Sequence, residues 1–168
     1  TSDIATVSIT VTEINDPPVA EDYSIVTDED ESATITLVGT DEDTDDEDLA
    51  IEIIDSTAHG SLELQGRIFA TYVYTPDLNY FGADTFTYRV FDTVGLSDTA
   101  TVLISVSPVN DAPMALDDSY STPEDIALTI SALGVLSNDS DVEGSALTAI
   151  LEGDVSHGSL VLNSDGSF

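Results

Sequence analysis

The sequence of 168 residues contains no cysteine, no lysine and no tryptophan, and its only cationic side chains are Arg67 and Arg89. Without cysteine there are no disulfides, thiolate zinc sites, Fe–S clusters or cysteine nucleophiles. That absence fits a reducing compartment, and equally a secreted protein held together by something other than disulfides. Two arginines cannot build the basic face that nucleic acid or an anionic membrane requires. No apolar run approaches the roughly 20 residues of a membrane-spanning helix. The stretch shows no initiator methionine, signal peptide or anchor, so it is expected to come from a longer chain.

What the sequence has instead is acid and a repeat. Aspartate and glutamate number 34, for a net charge of −32, yet 41% of residues are hydrophobic, enough to build a core despite the charge. SDIATVSITVTEINDPP at 2–18 returns as SDTATVLISVSPVNDAP at 97–113, so Asn15 recurs as Asn110, a period of 95 residues. Glu29-Asp30 maps onto Glu124-Asp125 at that offset. After Gly39/Gly134 the second copy gains three residues, and Asp41, Asp43, Leu49 and HGSLEL then match Asp139, Asp141, Leu147 and HGSLVL. The expected organisation is the last strand of a preceding repeat over 1–14, a complete repeat over 15–109, and the early part of a following one over 110–168.

The hydrophobic period inside the repeat is two. Val7, Ile9 and Val11 alternate with Ser8, Thr10 and Thr12, and Val102, Ile104 and Val106 alternate likewise. Further strands are expected at 33–38, 49–54, 61–65, 68–75 and 84–91, with an edge segment near 22–27, separated by the turn signals HGS, PDLN, FGAD and TVG. About seven strands in a repeat of this size is the arithmetic of an immunoglobulin-like sandwich. The fold class is therefore all-β, a tandem array of sandwiches.

Acidic residues concentrate in the turns and linkers, at 14–18, 27–31, 40–48, 91–92, 109–111, 117–118, 123–125 and 138–144. Two carboxylates about 4 Å apart repel by roughly 1 kcal/mol in water and about 4 kcal/mol at an effective dielectric near 20. Several such pairs would strain a domain whose net stability is about 5–15 kcal/mol. A hard divalent cation with six to eight oxygen ligands removes that strain, and Ca²⁺ suits carboxylates and carbonyls on loops. The plainer reading is that acidic loops only keep the protein soluble; recurrence at matched positions of two copies favours the cation. Asp41-x-Asp43-x-Asp45 and Asp139-x-Asp141-x-Glu143-Gly144 look superficially like EF-hand loops. The first lacks glycine at position 6, the second has Ile150 at position 12, and both run into strand-like segments.

INDPP, VNDAP, the downstream ED, the DxD loop, HGSL, YTPDLNYFGADTFTYRVFD and SDTATVLISV together resemble the bacterial cadherin-like tandem repeats of surface adhesins and related secreted proteins. That resemblance implies Greek-key β-sandwiches with Ca²⁺ bound where consecutive repeats meet. Carried over residue by residue, it implies a first junction of Asn15, Asp16, Asp41, Asp43 and Asp92. It implies a second that joins Glu29, Asp30 and Asp84 to Asn110, Asp111, Asp139 and Asp141. Pro17 and Ala112 stand where cadherin linkers carry a second asparagine.

Other chemistry has weaker support. His59 and His157 occupy equivalent HGSL turns, each beside a glycine able to take a positive φ, which argues for turn geometry over catalysis. No G-x-S-x-G nucleophile elbow occurs, and with this many carboxylates a glycosidase-like pair would arise by chance. Tyr72, Tyr74, Tyr80, Phe81, Phe86 and Tyr88 read as core and edge aromatics before they read as a sugar-stacking platform. The expected function is a non-enzymatic, calcium-rigidified structural or adhesive module of a bacterial cell-surface or secreted protein. Its partners would be neighbouring repeats, and a cell-surface protein or polysaccharide. The alternative is a carbohydrate-binding module.

Overall fold

A computed structural model describes residues 3–66 and 70–168. The chain divides into two compact units, Thr1–Ser107 and Pro108–Phe168.

Among its described residues unit 1 holds nine strands: β1 (Val19–Ala20), β2 (Tyr23–Asp28), β3 (Ala33–Thr36), β4 (Gly39–Thr40), β5 (Ala50–Asp55), β6 (Gly60–Gly66), β7 (Thr71–Pro76), β8 (Gly82–Phe91) and β9 (Ser97–Ser107). They form a four-stranded sheet in the order β2-β9-β8-β5, a three-stranded sheet in the order β3-β7-β6, and the small pair β1-β4. All pairings are antiparallel except β2 with β9, which run parallel, Ile25 opposite Ile104. The short β1 and β4 were not foreseen, since two-residue strands carry no period. The first two residues of the strand expected at 68–75 lie outside the described residues, as does Arg67.

Period-two patterning produces this sandwich directly. Ala100, Val102, Ile104 and Val106 of β9 and Phe86, Tyr88 and Val90 of β8 face inward, where Ile35, Leu37 and Tyr74 meet them from the other layer; all ten are buried in one cluster. Each large apolar side chain removed from water contributes roughly 1.5–3 kcal/mol. Tyr88 reaches across this core, its hydroxyl donating to the Glu21 carbonyl at 2.7 Å and accepting from the Glu21 N–H at 3.2 Å.

The alternating run at 3–12 is not a strand here. It makes no ladder, and Val7, Ile9 and Val11 are 82%, 84% and 89% exposed. The alternation is real, but a strand needs a partner edge and unit 1 gives it none.

Unit 2 contains no strand among the described residues. It has one isolated antiparallel bridge, Met114 with Ser140, and a single 3-10 turn at Gly134–Leu136. Ile130 and Phe168 exchange a pair of backbone hydrogen bonds of 2.7 and 3.2 Å, and Gly134 and Gly166 pack closely enough that a Cβ on either would strike the other's stretch of backbone. None of its apolar side chains is buried. The early strands expected within 110–168 are thus absent. Their counterparts in unit 1 pair with β7, β8 and β9, and 110–168 carries no sequence match to β8 or β9.

Candidate metal centre

At one end of unit 1 the linker residues Asn15 and Asp16 meet two loops. The Asn15 side-chain amide donates to Asp92 Oδ2 at 2.6 Å, and the Asp16 N–H donates to Asp43 Oδ2 at 2.7 Å. Asp43 and Thr44 in turn donate their N–H groups to Asp41 Oδ1 at 2.7 and 2.8 Å, the self-closing turn that aspartate favours. Asp92 follows β8, and its Oδ1 accepts the N–H groups of Val94, Gly95 and Leu96 at 3.0, 2.6 and 2.8 Å. Asn15, Asp16, Asp41, Asp43 and Asp92 are therefore one hydrogen-bonded set assembled from sites 77 residues apart in sequence.

The electrostatics of this set are one-sided. Burial works against ionisation of Asp92, but the Asn15 amide and the N–H groups of Leu96, Gly95 and Val94 outweigh it and hold the carboxyl below its ordinary range. No cation faces the set among the described residues; Arg89 is engaged with Glu52 at 2.9 Å on the β8–β5 pair. Asp41 Oδ2 is buried without any hydrogen-bond partner. A buried carboxylate oxygen with no donor is costly, and its donor set of carboxylates and amide oxygens is the kind that fits a hard divalent cation.

Unit 2 repeats part of this arrangement. The Asn110 amide donates to the Asp111 carbonyl at 2.8 Å, as the Asn15 amide does to the Asp16 carbonyl at 2.9 Å. The Asp111 N–H donates to Glu143 Oε2 at 3.1 Å, the bond that Asp16 makes with Asp43. Asp111 Oδ2 and Glu143 Oε1 are both buried without partners. Asn110, Asp111, Asp139 and Asp141 line one open hollow, in which Asp139 Oδ1 accepts the Leu116 N–H at 2.8 Å and Asp141 Oδ1 accepts the Ser145 N–H at 2.7 Å.

Sequence reasoning missed Glu143. By hydrogen bonding Asp41 corresponds to Asp141, each closing its own turn, and Asp43 corresponds to Glu143. The loop therefore matches two residues later than the alignment of Asp41 and Asp43 with Asp139 and Asp141 implies. The signal was the third acid of Asp139-x-Asp141-x-Glu143.

The remaining expected ligands sit elsewhere in unit 1. Glu29 follows β2, is buried, and donates its N–H to the Ser107 carbonyl at 2.9 Å. Asp30 adopts φ 60° in the turn, and its Oδ1 accepts the Asn79 N–H at 3.0 Å. Asp84 is buried and accepts four donors: Ala58 and Thr85 N–H on Oδ1 at 3.0 and 2.8 Å, His59 N–H and the Tyr74 hydroxyl on Oδ2 at 3.0 Å each. Four donors fill a carboxylate's acceptor capacity, so Asp84 ties the HGSL turn to β8 and has no lone pair to offer an ion. Burial opposes its ionisation, and the donors from Ala58, Thr85, His59 and Tyr74 prevail, holding it below the usual range. The Tyr74 hydroxyl is pushed far up, first by burial and then by this bond.

Of the two HGSL glycines, Gly158 takes the expected positive φ of 122° and Gly60 does not. Gly60 is not among the residues in that region; a Cβ there would lie 2.6 Å from the Thr75 carbonyl oxygen and from the Tyr74 ring. It is small because β6 must approach β7. His59 stacks on Tyr80 with centroids 4.2 Å apart. Tyr74, Phe86 and Tyr88 are core residues, and Tyr72 and Tyr80 pack half-buried against that core, which leaves Phe81, 41% exposed, as the one exposed member of the six.

Residues 15–105 match the bacterial Ig domain family, and residues 110–168 match the bacterial cadherin-like domain. Integrin beta-like protein B of Dictyostelium discoideum is 35% identical over 149 residues, covering 72% of this chain; the chain spans 8% of that protein's length. Among solved structures, human CDH23 EC21-23 is similar with a TM-score of 0.55 at 17% identity, over 92% of this chain and 55% of that one. Protocadherin Gamma B2 extracellular cadherin domains 3-6 give a TM-score of 0.51 at 15% identity, over 90% and 37%. The sandwich of unit 1 is thus shared in fold with cadherin repeats, and the chain belongs to the bacterial Ig domain family.

Proposed function

We propose that this chain is a non-catalytic, calcium-binding spacer or adhesive module of a bacterial surface or secreted repeat protein. The observation that carries the reading is Asp41 Oδ2, a buried carboxylate oxygen without a donor inside a set otherwise held by hydrogen bonds. Asp111 Oδ2 and Glu143 Oε1 supply the same feature in the following unit. Asn15, Asp16, Asp41, Asp43 and Asp92 would hold one ion, and Asp111 and Glu143, with Asp139 and Asp141 lining the same hollow, would contribute to another. When bound, calcium supplies the positive charge these loops lack. The chain's own part is to fix its oxygens beforehand: Asp92 through three backbone N–H groups, Asp41 through its turn.

An extracellular setting fits this chemistry, because modules of this kind bind calcium with Kd around 10⁻⁴–10⁻³ M. No helix among the described residues is long and apolar enough to cross a membrane. Titrating the chain with Ca²⁺ and with Mg²⁺ tests the proposal. Saturable Ca²⁺ binding, weakened about tenfold or more by Asp41→Asn and separately by Glu143→Gln, is expected. Equal, weak, non-saturating response to both ions would contradict it. Calcium-dependent retention on a polysaccharide column that Phe81→Ala abolishes would instead point to a carbohydrate-binding module.

A further inference from the structure

An open sheet edge is a row of unpaired main-chain donors and acceptors, and proteins blunt it by shortness, a bulge, charge or proline. Apart from the two-residue pair β1-β4, four described strands of unit 1 end a sheet: β2 and β5 in the larger, β3 and β6 in the smaller. β3 is only four residues long. The register of β5 slips between Ile53 and Asp55 and that of β6 between Leu64 and Gly66, irregularities that spoil a template for pairing. β2 has none of these devices. Its six residues hold register with β9 from Tyr23 opposite Val102 to Asp28 opposite Ser107, with no proline and no charge before Asp28.

The open side of β2 offers both kinds of contact that a further strand needs. Glu29 donates its N–H to the Ser107 carbonyl, so Ile25 and Thr27, in the same phase, turn their main-chain groups toward β9. Ser24 and Val26 turn theirs to the open side. On the outer face Val26 is 73% and Leu103 55% exposed. There Ser24, Val26, Ala83, Thr85, Leu103 and Ser105 line a shallow hollow of about 320 Å³. On the inner face Ile25 packs half-buried at the margin of the core.

We propose that β2 takes up one further strand from a partner protein, an extended segment with aliphatic side chains, flanked by lysine or arginine. Charge selects the flanks. Glu21 and Asp22 precede the strand, Asp28 closes it, and Asp30 and Glu31 follow. The chain has no lysine, and Arg89, the cation among the described residues, is engaged with Glu52. A β2 strand from a second copy would set these acids against their own kind, whereas a segment with basic flanks meets them with opposite charge. Main-chain bonds supply the affinity and alternate side chains the specificity. The contact needs no metal ion, so it stands or falls apart from the calcium reading.

A labelled synthetic peptide, Lys-Lys-Thr-Val-Thr-Val-Thr-Val-Lys-Lys, titrated with the whole chain in a chelator and followed by fluorescence anisotropy, tests this. Saturable binding is expected, at least tenfold tighter than for the same peptide with glutamate flanks, and weakened by added salt. Peptide should slow hydrogen exchange at the Ser24 and Val26 amides and change little at Ile25 and Thr27, which are already bonded to β9. Val26→Pro removes an outward N–H, a change that an edge strand tolerates on its open side. It should weaken binding at least tenfold and leave the near-UV signal of unit 1 unchanged. If that signal does change, Val26→Lys, which removes the aliphatic contact and repels the lysine flanks, must give the same loss of binding. No saturable binding, equal affinity for the two peptides, or protection at β5 or β6 in place of Ser24 and Val26 would each overturn the proposal. So would binding indifferent to Val26→Lys, or self-association of the free chain that protects the same two amides.

Discussion

Thr27 and Thr122 make the same turn. The Thr27 hydroxyl donates to the Glu31 carbonyl at 3.0 Å and the Thr122 hydroxyl to the Ile126 carbonyl at 2.9 Å, while Asp30 and Asp125 sit at φ 60° and 63°. The Asn15 and Asn110 amides likewise cap the next carbonyl in both units. The strands that flank these turns are not shared: unit 1 has a full sandwich, unit 2 none. Turns and caps are local bargains between a side chain and nearby backbone, so a few residues suffice to specify them. Strands and a core are non-local, and β8 and β9 are the partners on which β2 and β5 depend.

The comparison can be broken most easily by hydrogen exchange. Amides in the centre of β8 and β9 should exchange only through global opening, slower than those at 118–122 by about 10⁴-fold or more. Similar protection in both units would mean that unit 2 has a core of its own. Mutation sharpens the same contrast. Phe86→Ala, which empties part of the unit 1 core, should cost about 3–5 kcal/mol in denaturant unfolding. Leu147→Ala, at the matching repeat position of Leu49, should change that transition by no more than about 0.5 kcal/mol.

An effect smaller than that of Phe86→Ala concerns Asp84. Asp84→Asn replaces an acceptor of four donors by a group that accepts on one side only, and should cost about 2–3 kcal/mol. The pH dependence has a definite sign. Asp84 and Asp92 titrate lower when folded than when unfolded. Their contribution is therefore fully present above the unfolded carboxylate pKa of about 4 and is lost as pH falls through the folded values. The melting temperature of unit 1 should accordingly hold between pH 7 and 5 and drop below about pH 4. That acid slope should be shallower in Asp84→Asn; an unchanged slope would remove Asp84 from the explanation.

Much of this was legible in advance. β2, β3, β5, β6, β8 and β9 lie where alternation and turn residues put them, because each faces one core and one solvent side. The run at 3–12 shows the limit: its pattern equals that of β9, and pattern alone does not say whether a partner edge exists. Asn15, Asp16, Asp41, Asp43 and Asp92 come together because their loops lie at one end of adjacent strands. Glu143 escaped because a longer side chain two residues on does the work of Asp43, a substitution of reach that no residue-by-residue alignment reveals. The role of Asp84 escaped because a carboxylate at a turn looks the same in sequence whether it meets N–H groups or an ion.

The account stands on the claim that these carboxylate loops are built around calcium. Titration calorimetry of the chain, with Ca²⁺ against Mg²⁺ and with Asp41→Asn beside the unaltered protein, addresses it directly. The expected result is saturable Ca²⁺ binding near 10⁻⁴–10⁻³ M and a raised melting temperature for unit 1, with that rise lost and the binding at the unit 1 loops weakened about tenfold or more in Asp41→Asn. Heats and melting temperature that are indifferent to Ca²⁺, or identical in Asp41→Asn, would contradict it.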